Sequence, residues 1–318
     1  MTEFKALELG DRDVFLRYLW NYHFNTYEYS FLTLYLWKDY CNVEYAIIKD
    51  ALIIKKTEEK EGSYFMQPIG CSEGTLPDII EELIKIKQED ATFKCLFRDI
   101  EEPFLQKQKE TYGPNIIYFE DIKKFDYIYE TQKLINLNGD KLSKRKNHYH
   151  QFINQYNYSL KDLHDKTAIE DCLEFSRVWL ESRKVKYNEI IFELEGIRNV
   201  LNHLDLLNAI GMAVYVNSKV AGFTIGEKVN SQMAVIHVEK GDTKYKGIYA
   251  FINKTFAESY LEDTTYINRE EDLGKAGLKK AKRAYDPLKL EKKYLVDFPG
   301  DGLCKRFAVG AGAAEVGA

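Results

Sequence analysis

The stretch Gly211–Lys282 constrains the fold more than any other part of the chain. An apolar run over residues 212–216 is followed by the turn Asn217-Ser218-Lys219, and the chain returns as a strand over residues 220–229. A third strand is predicted over residues 233–240. A glycine-bearing loop, a helix, a strand and another helix follow. This order of elements is the one that an acyl-transfer site needs.

The loop after the third strand contains Lys244, Lys246 and Gly247, and it opens the next helix. Free backbone N–H groups at a helix N-terminus can hold an anionic phosphate, and the helix dipole favours the negative charge. The loop therefore predicts a binding site for the phosphate of a donor molecule.

Several segments outside this loop carry a family resemblance. They are Phe125-Asp-Tyr-Ile-Tyr-Glu130, Leu137-Asn-Gly139, Lys144-Arg-Lys-Asn147, Ala221-Gly-Phe-Thr-Ile-Gly-Glu227, His237-Val-Glu-Lys240 and Asn268-Arg-Glu-Glu-Asp-Leu-Gly274. Together they resemble the soluble family related to phosphatidylglycerol lysyltransferase C-terminal domains, over about residues 4–298. The resemblance implies an α/β (α+β) fold of two tandem GNAT-like domains, of the acyl-CoA N-acyltransferase type, with mixed central sheets.

The length of the chain also favours two domains, because 318 residues exceed the roughly 100–200 residues of a single-core domain. We predict an N-terminal GNAT-like domain over residues 1–129. A C-terminal GNAT-like domain over residues 130–300 is predicted to carry the site. Residues 301–318 are rich in glycine and alanine and are predicted to be a disordered tail.

The chain has no run of roughly 18 apolar residues and no signal-peptide pattern at its N-terminus. We therefore predict a cytoplasmic protein without an integral membrane segment. The five cysteines are widely spaced and form no Cys-x-x-Cys pair, and His148-x-His150 lacks a carboxylate companion. No metal site is predicted from these residues.

Positive charge is concentrated in two segments of a chain whose net charge is −5. Residues 133–150 contain five basic side chains and one acidic one, and residues 275–293 contain eight basic and two acidic ones. Lys144, Arg145 and Lys146 could contact a phosphate or a nucleic acid, with tRNA as the partner. The alternative is an ordinary solvated helix face.

His237 and Glu239 are two positions apart on the third strand, so both side chains are predicted to lie on one face of it. An amine acceptor must lose a proton before it attacks an acyl group, and a carboxylate or an imidazole can take that proton. Glu239 is the first candidate for the base and His237 the second. The alternative is that both residues are held in structural hydrogen bonds or ion pairs.

The segment from Asn268 to Gly274 follows a predicted strand, where a loop usually opens on a cleft. Arg269 could bind a carboxylate or a phosphate, and Glu270 and Asp272 could bind a cationic amino group. Asn268 is assigned to the same substrate site. In the alternative interpretation Asp272 caps the next helix and needs no ligand.

Tyr285 lies where many GNAT-type enzymes have a tyrosine that protonates the leaving group, so the resemblance assigns it as the acid. Packing in the core is the alternative.

The sequence as a whole predicts a transferase that moves an activated acyl group to an amine or hydroxyl acceptor. The acceptor is a small molecule or a lipid head group. Acyl-CoA and aminoacyl-tRNA are the candidate donors, and no other cofactor is predicted. The region around Gly247 has one glycine where coenzyme A binders have closely spaced small residues, which argues against coenzyme A and leaves aminoacyl-tRNA as a candidate donor. The alternative is a non-catalytic GNAT-fold module that binds a phosphate-bearing ligand or tRNA.

Overall fold

The computed structural model describes residues 2–20, 22–182 and 187–298. Its strands, in chain order, are β1 (Lys5–Ala6), β2 (Glu44–Ile48), β3 (Ala51–Glu58), β4 (Gly62–Phe65), β5 (Phe93–Ile100), β6 (Ile117–Glu120), β7 (Asp126–Glu130), β8 (Tyr158–Asp162), β9 (Ile210–Val216), β10 (Lys219–Lys228), β11 (Met233–Gly241), β12 (Tyr266–Asn268), β13 (Lys289–Glu291) and β14 (Tyr294–Asp297). Its α-helices are α1 (Arg12–Leu19), α2 (Phe31–Leu36), α3 (Leu76–Glu89), α4 (Glu102–Tyr112), α5 (Thr131–Asn136), α6 (Ser143–Gln155), α7 (Lys166–Glu181), α8 (Tyr187–Leu201), α9 (Leu204–Leu207), α10 (Ile248–Tyr260) and α11 (Ala276–Arg283).

The chain forms two compact units, and neither unit is one continuous segment. Unit one combines Met1–Asn25, Lys38–Ile122 and Lys292–Ala318, and unit two combines Thr26–Trp37 and Lys123–Glu291. The contiguous division at residues 129/130 stays a prediction. The predicted tail over residues 301–318 lies outside the described residues.

Unit one is built on a seven-stranded sheet in the order β1-β2-β3-β4-β5-β14-β6. Neighbouring strands are antiparallel except for β4 and β5, which are parallel. Helix α3 begins beside Pro77, which suits the first turn of a helix because its missing N–H would be unbonded there. Ile79, Ile80 and Leu83 recur at helical spacing and are buried in the same core cluster as Phe65 and Phe97.

Unit two is built on a second seven-stranded sheet, in the order β13-β7-β12-β11-β10-β9-β8. Among the described strands of this sheet, β11 and β12 are parallel and the other neighbours are antiparallel. The hairpin predicted at Asn217-Ser218 is confirmed, because β9 ends at Val216, β10 starts at Lys219, and both turn residues have positive φ values. Phe251 and Phe256 of α10 are buried in the same cluster as apolar residues of this sheet.

The two sheets have the same strand pattern, but each takes one strand from a distant part of the sequence. In the first sheet β14 lies between β5 and β6, and in the second β7 lies between β12 and β13. Strand β7 follows β6 directly along the chain yet pairs within unit two, while β14 follows β13 and pairs within unit one. Each sheet is mixed, as the α+β prediction required.

Within the described residues, no helix combines the length and the apolar character needed to cross a bilayer.

Candidate functional site

The parallel strands β11 and β12 of unit two stop pairing where β12 ends. Their register runs from Met233 opposite Tyr266 to Val235 opposite Asn268. Strand β11 continues to Gly241 and remains paired with β10. The second half of β11 therefore lies beside the turn that follows β12, and side chains of that turn reach it.

Arg269, the first residue of this turn, binds Glu239 of β11. Its Nη2 donates to Glu239 Oε1 at 3.0 Å, and Asn253 Nδ2 of α10 donates to Glu239 Oε2 at 3.4 Å. The Arg269 guanidinium carbon lies 4.6 Å from the centre of the Tyr285 ring and 5.5 Å from that of Tyr129. Burial opposes the charged form, but the carboxylate of Glu239 raises the pKa of Arg269, so this guanidinium is charged.

Tyr285 follows α11 and is buried beside a second arginine. The guanidinium carbon of Arg145, on α6, lies 5.4 Å from the centre of the Tyr285 ring, and Tyr285 Oη donates to the Tyr249 carbonyl at 3.4 Å. Burial raises the pKa of Tyr285 to about 12; Glu239 adds to this rise and the two arginines oppose it. The phenol therefore keeps its proton at neutral pH.

The structure thus brings together four residues that the sequence had assigned to separate tasks. We refer to Arg145, Glu239, Arg269 and Tyr285 as the arginine–tyrosine cluster. Tyr129 of β7 lies beside the cluster, with its ring centre 5.5 Å from the Arg269 guanidinium carbon, and no prediction was made for it. A tyrosine in a short strand carries no signal that distinguishes a site from a core.

Asn268 and Asp272 hold the turn in shape. Asn268 Nδ2 donates to Asp126 at 2.8 Å, and its Oδ1 accepts from the Glu270 N–H at 2.7 Å. Asp272 accepts from Tyr127 Oη at 2.7 Å and from the Gly274 N–H at 2.8 Å. Both side chains are buried, so their substrate-binding role stays a prediction and their observed partners are structural.

Lys282 of α11 fixes the same turn from the other side, and sequence reasoning did not single it out. Its Nζ donates to the main-chain carbonyls of Arg269 and Glu270. Burial lowers the pKa of Lys282 to about 8. Glu270 has a φ of 56°, so its left-handed backbone needs such support.

His237 belongs to a separate buried network. Its Nε2 is 2.9 Å from Glu227 Oε1, and its Nδ1 is 2.9 Å from Glu270 Oε1 and 3.4 Å from Thr33 Oγ1 of α2. Burial opposes protonation, but the two carboxylates raise the pKa of His237 to about 9. A protonated imidazole cannot accept another proton, so the geometry favours Glu239 over His237 as the base. The carboxylate of Glu270 is taken up by His237.

The predicted common face of His237 and Glu239 is wrong. Ile225 lies opposite Val238 and Gly226 opposite Ile236, so His237 is the extra residue of a β-bulge in β11. A bulge breaks the alternation of side chains along a strand. His237 therefore bonds Thr33 of α2, whereas Glu239 bonds Asn253 of α10.

The loop predicted to hold donor phosphate has partners within the protein for several of its N–H groups. The Lys244 N–H donates to Asp242 Oδ1 at 3.0 Å, and the Lys246 N–H donates to Tyr156 Oη at 3.1 Å. The Lys244 ammonium lies 2.6 Å from Asp242 Oδ2. Gly247 has a φ of 88°, and a Cβ there would lie 2.0 Å from the His148 carbonyl oxygen. Close packing on α6 thus accounts for this glycine, and phosphate binding by the loop stays a prediction.

Two of the three predicted phosphate contacts on α6 face solvent. Lys144 and Lys146 are exposed, whereas Arg145 between them is partly buried against Tyr285. Only Arg145 joins the cluster.

Three buried carboxylates were not anticipated from the sequence. One oxygen from each of Glu28, Asp126 and Glu271 lies within 4.8 Å of the others. The Tyr27 N–H donates to Asp126 at 3.0 Å, and Lys124 Nζ lies 3.6 Å from Glu271. Glu28 is about a hundred residues from Asp126 in the sequence, so local spacing gave no signal.

Comparison with known proteins agrees with this fold. The chain is 28% identical to a conserved protein of unknown function from Bacteroides thetaiotaomicron, whose crystal structure superposes with a TM-score of 0.84 over 94% of this chain and 100% of that one. L-PGS from Bacillus licheniformis superposes with a TM-score of 0.65 at 14% identity, over 96% of each chain. An uncharacterised protein of Mycoplasmoides gallisepticum is 24% identical over 225 residues, which are 69% of this chain and 71% of that protein.

The fold is α+β with two mixed sheets, as the sequence predicted. More specifically, the chain belongs to the family described as phosphatidylglycerol lysyltransferase, C-terminal, whose model matches residues 21–297.

Proposed function

We propose that unit two is an acyltransferase that moves an acyl or aminoacyl group from an activated donor to an amine or hydroxyl acceptor. The observation that carries this proposal is the arginine–tyrosine cluster. It places a carboxylate, Glu239, and a protonated phenol, Tyr285, on the same arginine, Arg269. A carboxylate that can accept a proton and a phenol that can donate one are the two groups that acyl transfer needs.

The chemistry follows from these two groups. Glu239 accepts a proton from the acceptor, whose lone pair then forms a bond to the acyl carbon. The bond between that carbon and the donor oxygen or sulfur breaks with its electron pair, and the leaving atom takes the Tyr285 proton. Arg269 holds both Glu239 and the phenol ring in place, and it stabilises negative charge that develops on the acyl oxygen.

For the donor we propose aminoacyl-tRNA in preference to acyl-CoA. Exposed basic side chains surround the start of α6 and the length of α11, and they supply charge for a phosphate backbone. They are Lys141, Lys144, Lys146, Lys275, Lys280 and Arg283. Asp286 ties the two regions together, because it pairs with both Lys133 and Lys141.

For the acceptor we propose a lipid head group or a small amine. The support is the family description, which names lysyl transfer to phosphatidylglycerol. Glu239 can deprotonate either an ammonium or a hydroxyl group. As part of the same proposal, this protein acts in the cytoplasm, where charged tRNA occurs.

The test is transfer of radiolabel from charged tRNA, or from acetyl coenzyme A in parallel, to lipid and small-amine acceptors. We expect Glu239→Gln and Tyr285→Phe to lower the rate by roughly 10²-fold or more. Glu258→Gln on α10 and Tyr266→Phe on β12 are matched controls that should keep the wild-type rate. Equal rates for all four variants would remove the cluster from the chemistry.

One observation favours a binding module as the second candidate. Both oxygens of Glu239 already have partners, in Arg269 and Asn253. Saturable binding of charged tRNA without transfer to any acceptor would select this candidate.

A further inference from the structure

The two arginines of the cluster carry more positive charge than the cluster neutralises. Glu239 Oε1 lies 3.0 Å from Arg269, and among the described residues no carboxylate forms an ion pair with Arg145. The cluster therefore contains two guanidinium groups and one carboxylate. Both lie within 5.5 Å of the centre of the same buried ring, that of Tyr285.

Each arginine also has an N–H group without an acceptor. Arg269 Nη1 and Arg145 Nε are buried, and neither donates to any atom of residues 2–20, 22–182 or 187–298. The side chain of Arg269 is 10% exposed. A charged donor that is buried and unbonded is costly to the fold, so a site of this kind is completed when an acceptor enters.

The chemistry of that acceptor follows from the donors. A guanidinium presents its N–H groups in a flat fork that matches the oxygens of a carboxylate or a phosphate. An oxyanion also supplies the missing negative charge. A neutral carbonyl or hydroxyl would satisfy the N–H groups but would leave the excess charge uncompensated.

We propose that Arg145 and Arg269 form an oxyanion subsite beside Tyr285, which binds a carboxylate or phosphate group of the substrate. The subsite deepens the proposed function and rests on it, because it specifies that the substrate at Glu239 carries an anionic group next to its reacting atoms. Arg145 is a binding residue in this scheme, and Glu239 remains the base.

The test is isothermal titration calorimetry of the full chain with two probes, inorganic phosphate and acetate. We expect saturable binding of at least one probe by the wild type. Arg145→Gln should weaken that binding roughly tenfold or more, since a hydrogen bond to a charged group is lost. Lys219→Gln, at an exposed position in the β9–β10 hairpin, should bind as the wild type does. Tighter binding of phosphate would identify a phosphate-bearing substrate, and tighter binding of acetate a carboxylate-bearing one.

Arg269→Gln removes the cation that pairs with the buried Glu239, so the folding of this variant is checked by thermal unfolding. Arg145→Gln is therefore the decisive variant. Absence of saturable binding of both probes, or equal binding by Arg145→Gln and the wild type, would overturn the subsite. Loss of anion binding in Arg145→Gln, from a wild type that transfers no acyl group, would keep the subsite and refute the transferase. Acyl transfer by the wild type, together with unchanged anion binding in Arg145→Gln, would keep the transferase and refute the subsite.

Discussion

Replacing Gly247 with alanine tests whether this glycine serves packing or a ligand. The left-handed backbone at φ 88° costs a non-glycine residue about 1–2 kcal/mol. The new Cβ would also lie 2.0 Å from the His148 carbonyl oxygen and 3.2 Å from Phe152 Cβ, so α6 must shift. Overpacking of this kind costs about 1–3 kcal/mol. We expect Gly247→Ala to lower the free energy of unfolding by about 2–5 kcal/mol.

Two glycines of unit two provide the controls. Gly274 has a φ of 66°, but a Cβ there would meet the flexible Lys123 side chain at 3.1 Å, so only the conformational cost of about 1–2 kcal/mol should remain. Gly277 lies in α11 with open space around it, and Gly277→Ala should stabilise the protein by about 0.5–1 kcal/mol. Urea unfolding followed by circular dichroism measures all three. If Gly247→Ala and Gly274→Ala lower the free energy of unfolding equally, the packing argument is refuted. Phosphate binding would then be the remaining explanation for a glycine at position 247.

Three further predictions concern the residues around the cluster. The pKa of His237 is about 9 in the folded protein and roughly 6.5 in the unfolded one, so protonation of His237 stabilises the fold by about 3 kcal/mol below about pH 6.5. This stabilisation is lost as the pH rises through 9. Urea unfolding of the wild type between pH 6.5 and 9.5 should show the loss and that of His237→Gln should not, and a parallel loss in both proteins would contradict the prediction. Asp272→Ala should lower the free energy of unfolding by about 2 kcal/mol, because Tyr127 Oη and the Gly274 N–H lose their acceptor. Because Asp272 shapes the turn and binds no ligand in this scheme, anion binding measured by calorimetry should stay unchanged. Lys282→Met should lower the transfer rate at least tenfold by releasing the carbonyls that fix Arg269, and an unchanged rate would show that the turn holds itself.

Local signals in the sequence predicted the elements of this fold well. The turn at Asn217-Ser218 and the order of strand, loop and helix after Met233 both depend on neighbouring residues and are confirmed. Glu239 was selected for its place on the third strand, Arg269 because it follows a predicted strand, and Tyr285 from the family resemblance. Arg145 was selected for its charge, but its contact with Tyr285 depends on packing across 140 residues of sequence.

What the sequence could not predict depends on non-local pairing. The residue types of a strand do not reveal whether it contains a bulge. The sequence therefore gave no sign that the side chains of His237 and Glu239 lie on different faces of β11. Thr33 lies in α2, far from the rest of unit two in sequence, and its hydrogen bond to His237 could not be inferred from spacing. Which sheet receives β7 is likewise decided by its pairing with β12 and β13, not by its own residues.

Strand β14 completes the first sheet from the far end of the sequence, and this position limits the order in which the protein can fold as it leaves the ribosome. The first sheet lacks its β5–β6 link until residues 294–297 of β14 have been synthesised, so unit one stays incomplete while almost all of unit two emerges. The edges of β5 and β6 are exposed during that interval, and unpaired strand edges are where chains aggregate or swap segments with one another. A chain that is truncated before β14 therefore contains every residue of the arginine–tyrosine cluster, but its first sheet is incomplete.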